Sequence, residues 1–374
     1  MQRRLFLKNT GLAAAALGLS TWNEGCTPIQ DFPKYSGRRL ILVKLAGGND
    51  GLYSLMPREH DQIERLRPNM AAKAKKNGIP LFNDWLLNYE LRSLETLLGQ
   101  GELTILPFVG YPEPNTSHFK STEIWETGAL PGEQSGKFGW IGQLLDNGTL
   151  SVEGNDTPVL SLSDLETLVI RGRMKQGHTW LGNTTLEWYE DDILEWLKDI
   201  QQHAVADKLL KEYNLMNFLR ESQKVSGFPA TALGDQFGRV AAIIQQDKPY
   251  KVFYTTHSDY DTHVSAPERL TVLYEELSSA LISLTQSLKN SGHWNETLIV
   301  VYSEFGRTID ENANGGTDHG AAGLCMLLGS NQIVKKYSSL TPEINLVPYC
   351  GEMYLAHQTD FRDIYADIRR EWLL

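Results

Sequence analysis

The sequence predicts an α/β protein: a doubly wound, mostly parallel sheet flanked by helices, with a helical insertion capping one edge. Three observations predict it. Short apolar runs, often β-branched, recur along the chain, and each ends in a glycine-rich or polar turn. Stretches with helical periodicity separate these runs, as crossovers between parallel strands require. Acids, histidines and hydroxyls collect just after the strands, where such sheets bind ligands.

The elements follow in order. Arg39 to Leu45 is the first strand and runs into Ala46-Gly47-Gly48-Asn49-Asp50-Gly51. Leu103 to Val109 is the second; it leads through Tyr111-Pro112-Glu113-Pro114-Asn115 into a helix from Ser117 to Glu126. Lys251 to Thr256 is the third, followed by a polar turn and a long amphipathic helix from about Pro267 to Lys289. Thr297 to Tyr302 and Gly323 to Leu328 are the fourth and fifth, and a helix from about Asp360 to Trp372 closes the chain. Residues from about 129 to 247 are rich in Trp, Tyr and acids, with helical patterns at Trp188 to Val205 and Asp207 to Leu219. They read as a cap or insertion, and Trp180, Trp188 and Trp196 as packing residues rather than a sugar platform.

Residues 1–26 resemble a twin-arginine export signal: Arg3-Arg4-Leu5-Phe6-Leu7-Lys8, then a mildly apolar, Ala-rich run from Gly11 to Leu19. The bland alternative is a basic N-terminus on an ordinary helix. The signal implies a working domain of residues 27–374 in the periplasm or at the cell surface. That route carries folded chains, so it also implies a cofactor installed before export. Cys26 offers a lipid-acceptor position, but Asn23-Glu24-Gly25 is a poor context for such processing. No later run is long enough to cross a bilayer.

The signal holds Arg3, Arg4, Lys8 and Glu24, so its removal moves the formal charge from −11 to −13. An acidic body disfavours nucleic acid and anionic lipid as partners. It admits a small anionic substrate, because a metal or an Arg dominates the field inside a cleft. Cys325 and Cys350 do not make a disulfide scaffold or a zinc–thiolate site, and whether they pair stays open.

The polar residues after the strands are Asn49 and Asp50; Asn115, Thr116, Ser117 and His118; His257, Asp259, Asp261 and His263; and Ser303, Glu304 and Arg307. The loop Gly315-Gly316-Thr317-Asp318-His319-Gly320 precedes the last strand. Carboxylates and imidazoles on one edge are the inventory of a divalent metal site. Ser117 meets a helix N-terminus, where an alkoxide is favoured, yet it reads equally well as an N-cap. Arg307 either clamps an oxyanion or pairs with Glu304. No Gly-x-Ser-x-Gly elbow, P-loop or dinucleotide fingerprint is present, which disfavours a serine hydrolase of that type and a nicotinamide enzyme.

The ordered blocks resemble an exported bacterial family catalogued as domain of unknown function fifteen-oh-one. They are Ala46 to Gly51, Ser117-His118-Phe119 with Trp125-Glu126-Thr127-Gly128, Asp261-Thr262-His263, Ser303 to Thr308, Gly316 to Gly320 and Thr359 to Tyr365. That family is similar to the alkaline phosphatase and sulfatase superfamily. The resemblance implies an alkaline-phosphatase-like fold with two divalent ions at the strand ends. It implies metal ligands at Asp50, Asp261, His263, Glu304 and His319, with Ser117 at the nucleophile's place; Asp318, next to His319, is a further candidate ligand from its place in the sequence. Two departures stand out: the superfamily's Asp-His pair becomes Glu304-Phe305, so one imidazole ligand is missing, and Asp261 and His263 lie closer in sequence than the usual pair.

The expectation is therefore an exported, metal-dependent, hydrolase-like protein acting on a phosphate or sulfate ester. Its cofactor would be one or two divalent ions (Zn, Mg, Mn or Ca). Ser117 and Arg307 would be the catalytic groups, and a small anionic ester or a surface glycan the substrate. The alternative is a non-catalytic exported accessory protein with an exported partner.

Overall fold

Seven consecutive residues of Arg39–Leu45 are buried. A continuous buried run suits a strand covered on both faces, and this strand lies inside the sheet with parallel neighbours on either side. The computed structural model describes residues 34–81, 84–130, 133, 137–153, 155–163, 167–180, 225–338, 342–349 and 352–374. Two compact units divide the chain. Residues 33–181 with 224–374 form the unit that holds the sheet; residues 1–32 with 182–223 form the other, outside the described residues. The export signal, Cys26, Trp188, Trp196, both helical patterns of the expected cap and Cys350 also lie outside them.

The central sheet has eight strands: β1 Arg39–Leu45, β2 Leu103–Gly110, β3 Val159–Ser161, β4 His178–Thr179, β5 Val252–His257, β6 Thr297–Tyr302, β7 Gly323–Leu328 and β8 Thr359–Asp360. Their order across the sheet is β8-β2-β7-β6-β1-β5-β3-β4. All run parallel except β7, which is antiparallel to both β6 and β2. That reversal matters for the site. The loop entering β7 arrives at the edge where β1, β2, β5 and β6 end, so it joins their loops.

The described helices include α1 His118–Thr127, α2 Trp140–Asp146, α3 Ala232–Gln245, α4 Ala266–Asn290 and α5 Phe361–Asp367. Alternate residues of β1, β5 and β6 pack with Ile124, Trp125, Trp140, Ile141, Phe361 and Tyr365 of α1, α2 and α5. Trp125 stacks between Tyr302 and Phe361, at ring-centroid distances of 5.2 and 4.3 Å. The expected cap region contributes β3, β4, α2 and α3, and Trp180 is buried. Cys325 is buried on β7, where desolvation pushes its thiol up to about 12. No described helix is long and apolar enough to cross a membrane.

Candidate metal centre

Four loops at this edge carry the site. His118 is the first residue of α1, after the turn that leaves β2. That turn is fixed locally: the Ser117 amide donates to Asn115 Oδ1 at 2.9 Å, and the Asn115 amide donates to the Tyr111 hydroxyl at 3.0 Å. Asp261 and His263 lie between β5 and α4. His319 lies between β6 and β7, bridged to Arg307. Gly47 and Gly48, both at positive φ, carry the β1 turn close against these loops. A Cβ on Gly47 would meet the Asp261 amide nitrogen at 2.4 Å, and one on Gly48 would meet the Phe305 ring at 2.3 Å.

The side chains converge. His118 Nε2 and His263 Nε2 each lie 3.0 Å from His319 Nε2. Asp261 Oδ1 lies 3.0 Å from His263 Nε2 and 3.3 Å from His319 Nε2, and Asp261 Oδ2 lies 3.6 Å from His118 Nε2. One ligand atom from each of His118, Asp261 and His319 fits within 4.8 Å of the others.

The outer partners decide which ring nitrogens carry hydrogen. His118 Nδ1 is 3.0 Å from Glu304 Oε1, His263 Nδ1 is 2.6 Å from Asp318 Oδ1, and His319 Nδ1 is 2.8 Å from the Thr116 carbonyl. Carboxylates and carbonyls only accept, so each Nδ1 donates. A neutral ring then has a bare lone pair on Nε2. Three such lone pairs and a carboxylate face one another with no hydrogen between them. A cation resolves that arrangement, and outward Nδ1–H bonds to oxygen are the usual support for metal-bound histidine. Ligand atoms about 2.0–2.1 Å from a tetrahedral zinc stand roughly 3.3 Å apart, and those of His118, Asp261 and His319 stand 3.0–3.6 Å apart, which fits an ion.

The charges agree. Burial works against ionisation of Asp261, but the Arg307 hydrogen bond and charge hold its carboxyl below the usual range. Burial likewise opposes a charged Glu304, and the bond from His118, the charge of Lys44 and the Gly47 amide outweigh it. Burial, together with the Arg307 charge, lowers His319 below the ordinary imidazole value, which favours the neutral form. Phe305 is buried against the rings of His118 and His319, at 4.8 and 4.9 Å, and supplies packing there.

The expected residues divide sharply. Asp261, His263 and His319 come together. Glu304 and Asp318 stand behind the cluster, each accepting from a histidine Nδ1. Asp50 is directed elsewhere: its carboxylate accepts from Tyr53 N at 3.0 Å, Arg67 Nη1 at 2.8 Å and Thr317 Oγ1 at 3.1 Å, and it is fully buried. Arg307 does not pair with Glu304, and no part of its side chain is exposed to clamp a ligand. It donates to the carbonyls of Gly47, Gly48, Tyr260 and Thr317 and, at 2.6 Å, to Asp261 Oδ1. Ser117 occupies the N-cap position of α1, is exposed and makes no side-chain cap bond. Sequence reasoning did not single out His118, which the structure places in the cluster. The signal was its place beside Ser117 at the same strand end.

The family described as "Protein of unknown function (DUF1501)" matches residues 108–332, and the chain belongs to it. No curated protein matches. Among similar solved structures is the C-terminal periplasmic domain of EptC from Escherichia coli, in complex with Zn. It shows 10% identity, covers 85% of this chain and 80% of its own, and has a TM-score of 0.43. The alkaline phosphatase of the Antarctic bacterium TAB5 shows 9% identity, 91% and 99% coverage and a TM-score of 0.37. The PsFucS1 sulfatase of Pseudoalteromonas sp. shows 12% identity, 89% and 67% coverage and a TM-score of 0.36. With overlaps of this size, the fold rests on the strand order and the site on its own geometry.

Proposed function

We propose that this chain is an exported hydrolase that holds one divalent transition-metal ion on His118, Asp261, His263 and His319 and cleaves a phosphate or sulfate ester. The observation that carries the reading is the set of three outward Nδ1–H bonds, which leaves the Nε2 lone pairs of His118, His263 and His319 facing Asp261 and one another at 3.0–3.6 Å. Imidazole-rich sets suit zinc, copper, iron or nickel better than magnesium or calcium. The ligand side chains are 25–47% exposed, so one side of the centre faces solvent and leaves room for water or an oxyanion to join as a further ligand.

Three neutral imidazoles and one carboxylate leave a divalent ion with net positive charge, which draws an oxyanion. The bound ion supplies Lewis acidity and a place where water loses its proton near neutral pH. The chain does the rest. Glu304, Asp318 and the Thr116 carbonyl keep the three rings in the ligating tautomer. Arg307 ties Asp261 to the loops bearing Gly47 and Thr317. Ser117 offers an exposed hydroxyl, uncommitted to capping, one residue from His118, and is the attacking group of this reading.

Protein purified after export should carry one equivalent of metal and hydrolyse p-nitrophenyl phosphate or sulfate in a chelator-sensitive way. No stoichiometric metal, or turnover indifferent to chelator, sinks the reading. The export half rests on Arg3-Arg4. A Lys-Lys replacement should leave the chain in the cytoplasm, and normal export of that variant counts against it.

A further inference from the structure

A cavity of about 300 Å³ opens where β5 ends, between the exit of β3 at Ser163 and the helices α3 and α4. Open α/β sheets bind ligands outside the carboxyl ends of their strands, and the volume lies at the lower end of those that hold small molecules. None of its lining residues belongs to the metal centre.

The wall is held by paired polar groups. The Gln236 side chain grips the backbone of Thr256 in both directions: Nε2 donates to the carbonyl and Oε1 accepts from the amide, each at 3.0 Å. Thr256 Oγ1 donates to Ser163 Oγ at 2.9 Å. His257 is buried, with Nδ1 3.0 Å from the Tyr260 hydroxyl and Nε2 3.2 Å from Glu276 Oε2. A carboxylate only accepts, so Nε2 carries the hydrogen. Tyr260, which burial keeps protonated, then donates to Nδ1. Burial also lowers His257 below the ordinary imidazole value, which favours the neutral ring.

The charge left over is negative. Among the described residues, nothing donates to Glu276 Oε1 or to the Asp259 carboxylate; Arg269 Nη2 donates to the Asp259 backbone carbonyl instead, at 3.3 Å. No Lys or Arg lines the cavity. Val272 and Glu276 stand one turn apart on α4, so an apolar and an anionic group share one face, and Leu273 and Ala232 extend the apolar part. Among the described residues, the three side chains near enough to share a metal ion are His118, Asp261 and His319, so a bare metal ion does not suit this cavity.

We propose that the cavity is a second binding site, independent of the metal centre, and that it takes a small organic ammonium ion. The charged nitrogen lies against Glu276 and Asp259, and the apolar body against Val272, Leu273 and Ala232.

The test uses the full chain and three probes with the same apolar body, phenethylammonium, 2-phenylethanol and 3-phenylpropionate, titrated by calorimetry at neutral pH. Wild type should bind the ammonium roughly tenfold or more tightly than the alcohol, the worth of a hydrogen bond to a charged group, and the carboxylate least. Glu276→Gln keeps an oxygen for His257 Nε2–H and should cut the preference to about fivefold or less, what an exposed pair with Asp259 supplies. Val272→Arg, at a lining position that is 55% exposed and so safe for folding, should remove ammonium binding. No binding of phenethylammonium, equal affinity for the alcohol, or an undiminished preference in either variant overturns the proposal. Displacement of the probe by one equivalent of zinc would put it at the metal centre and overturn the proposal as well.

Discussion

Asp50 and Asp261 are two aspartates at the same edge of one sheet, each a few residues beyond a parallel strand. They face opposite chemistry. Asp50 is enclosed by hydrogen: a backbone amide, a guanidinium and a hydroxyl all donate to it, and no water reaches it. Asp261 has one guanidinium behind it and three bare imidazole nitrogens in front. A carboxylate saturated with donors is a structural node; a carboxylate facing lone pairs awaits a cation. Arg67 gives Asp50 the positive charge that a second ion would otherwise supply. The loop through Thr317 and His319 touches both regions, so the structural node holds one side of the candidate site.

The largest expected effect comes from breaking the structural half. Arg67 is fully buried, and it also donates to the carbonyls of Thr308 and Ile309. Arg67→Met leaves Asp50 buried without its cation, and unpairing a buried ion pair costs about 3–5 kcal/mol. Urea unfolding should show that loss. The double variant Arg67→Met with Asp50→Asn should recover part of it, because the stranded charge is gone. A single variant as stable as wild type would mean that Asp50 is not held as described.

Asp261→Asn breaks the other half and should act on metal rather than on folding. One anionic ligand of four contributes roughly a quarter of a total binding free energy of about 10–16 kcal/mol, so affinity should fall by about two to three orders of magnitude. Competition titration against a chelator measures it. Unchanged affinity would remove Asp261 from the ligand set and with it the contrast with Asp50.

Much of this is legible in the sequence alone. The five longer strands and helices α1 and α4 announce themselves, because a strand buried on both faces needs an unbroken apolar run and a covering helix needs a stripe. The loops carrying Asp261, His263 and His319 follow from those strand ends. The rest is hidden for physical reasons. β3 and β4 span three and two residues, too few to show a period. The partner of Asp50 is an arginine lodged between two short helices, Asp61–Leu66 and Pro68–Asn77, away from any strand end. Arg307 spends its donors on carbonyls of other loops, a choice set by tertiary approach and not by its neighbours in sequence. The tautomers that distinguish ligands from their supports depend on atoms brought together by three separate crossovers.

Glu304→Gln gives a smaller effect and separates a supporting carboxylate from a ligand. Glu304 is buried and accepts from His118 Nδ1 and from the Gly47 amide at 2.8 Å, so in the proposed centre it positions a ligand. Outer-shell changes cost about 10- to 100-fold in metal affinity or activity. The amide still accepts from Nδ1–H through its oxygen, so the stoichiometry should stay at one. A loss as large as that of Asp261→Asn would make Glu304 a direct ligand.

The smallest effect on stability belongs to Ser117→Ala, and its smallness is what sharpens the comparison. An N-cap serine ordinarily contributes about 1 kcal/mol through its bond to the first-turn amides. Ser117 occupies that position without making that bond, and its side chain is exposed. Removing the hydroxyl should therefore change the unfolding free energy by well under that amount, with zinc affinity untouched because His118 keeps its own partners. Turnover should collapse if the hydroxyl is the attacking group, since losing a nucleophile costs several orders of magnitude. The pairing of the two readouts is decisive. Normal stability with lost turnover puts Ser117 in the chemistry, on the Asp261 side of the divide. A full capping loss with unchanged turnover puts it with Asp50, as a residue that serves the fold.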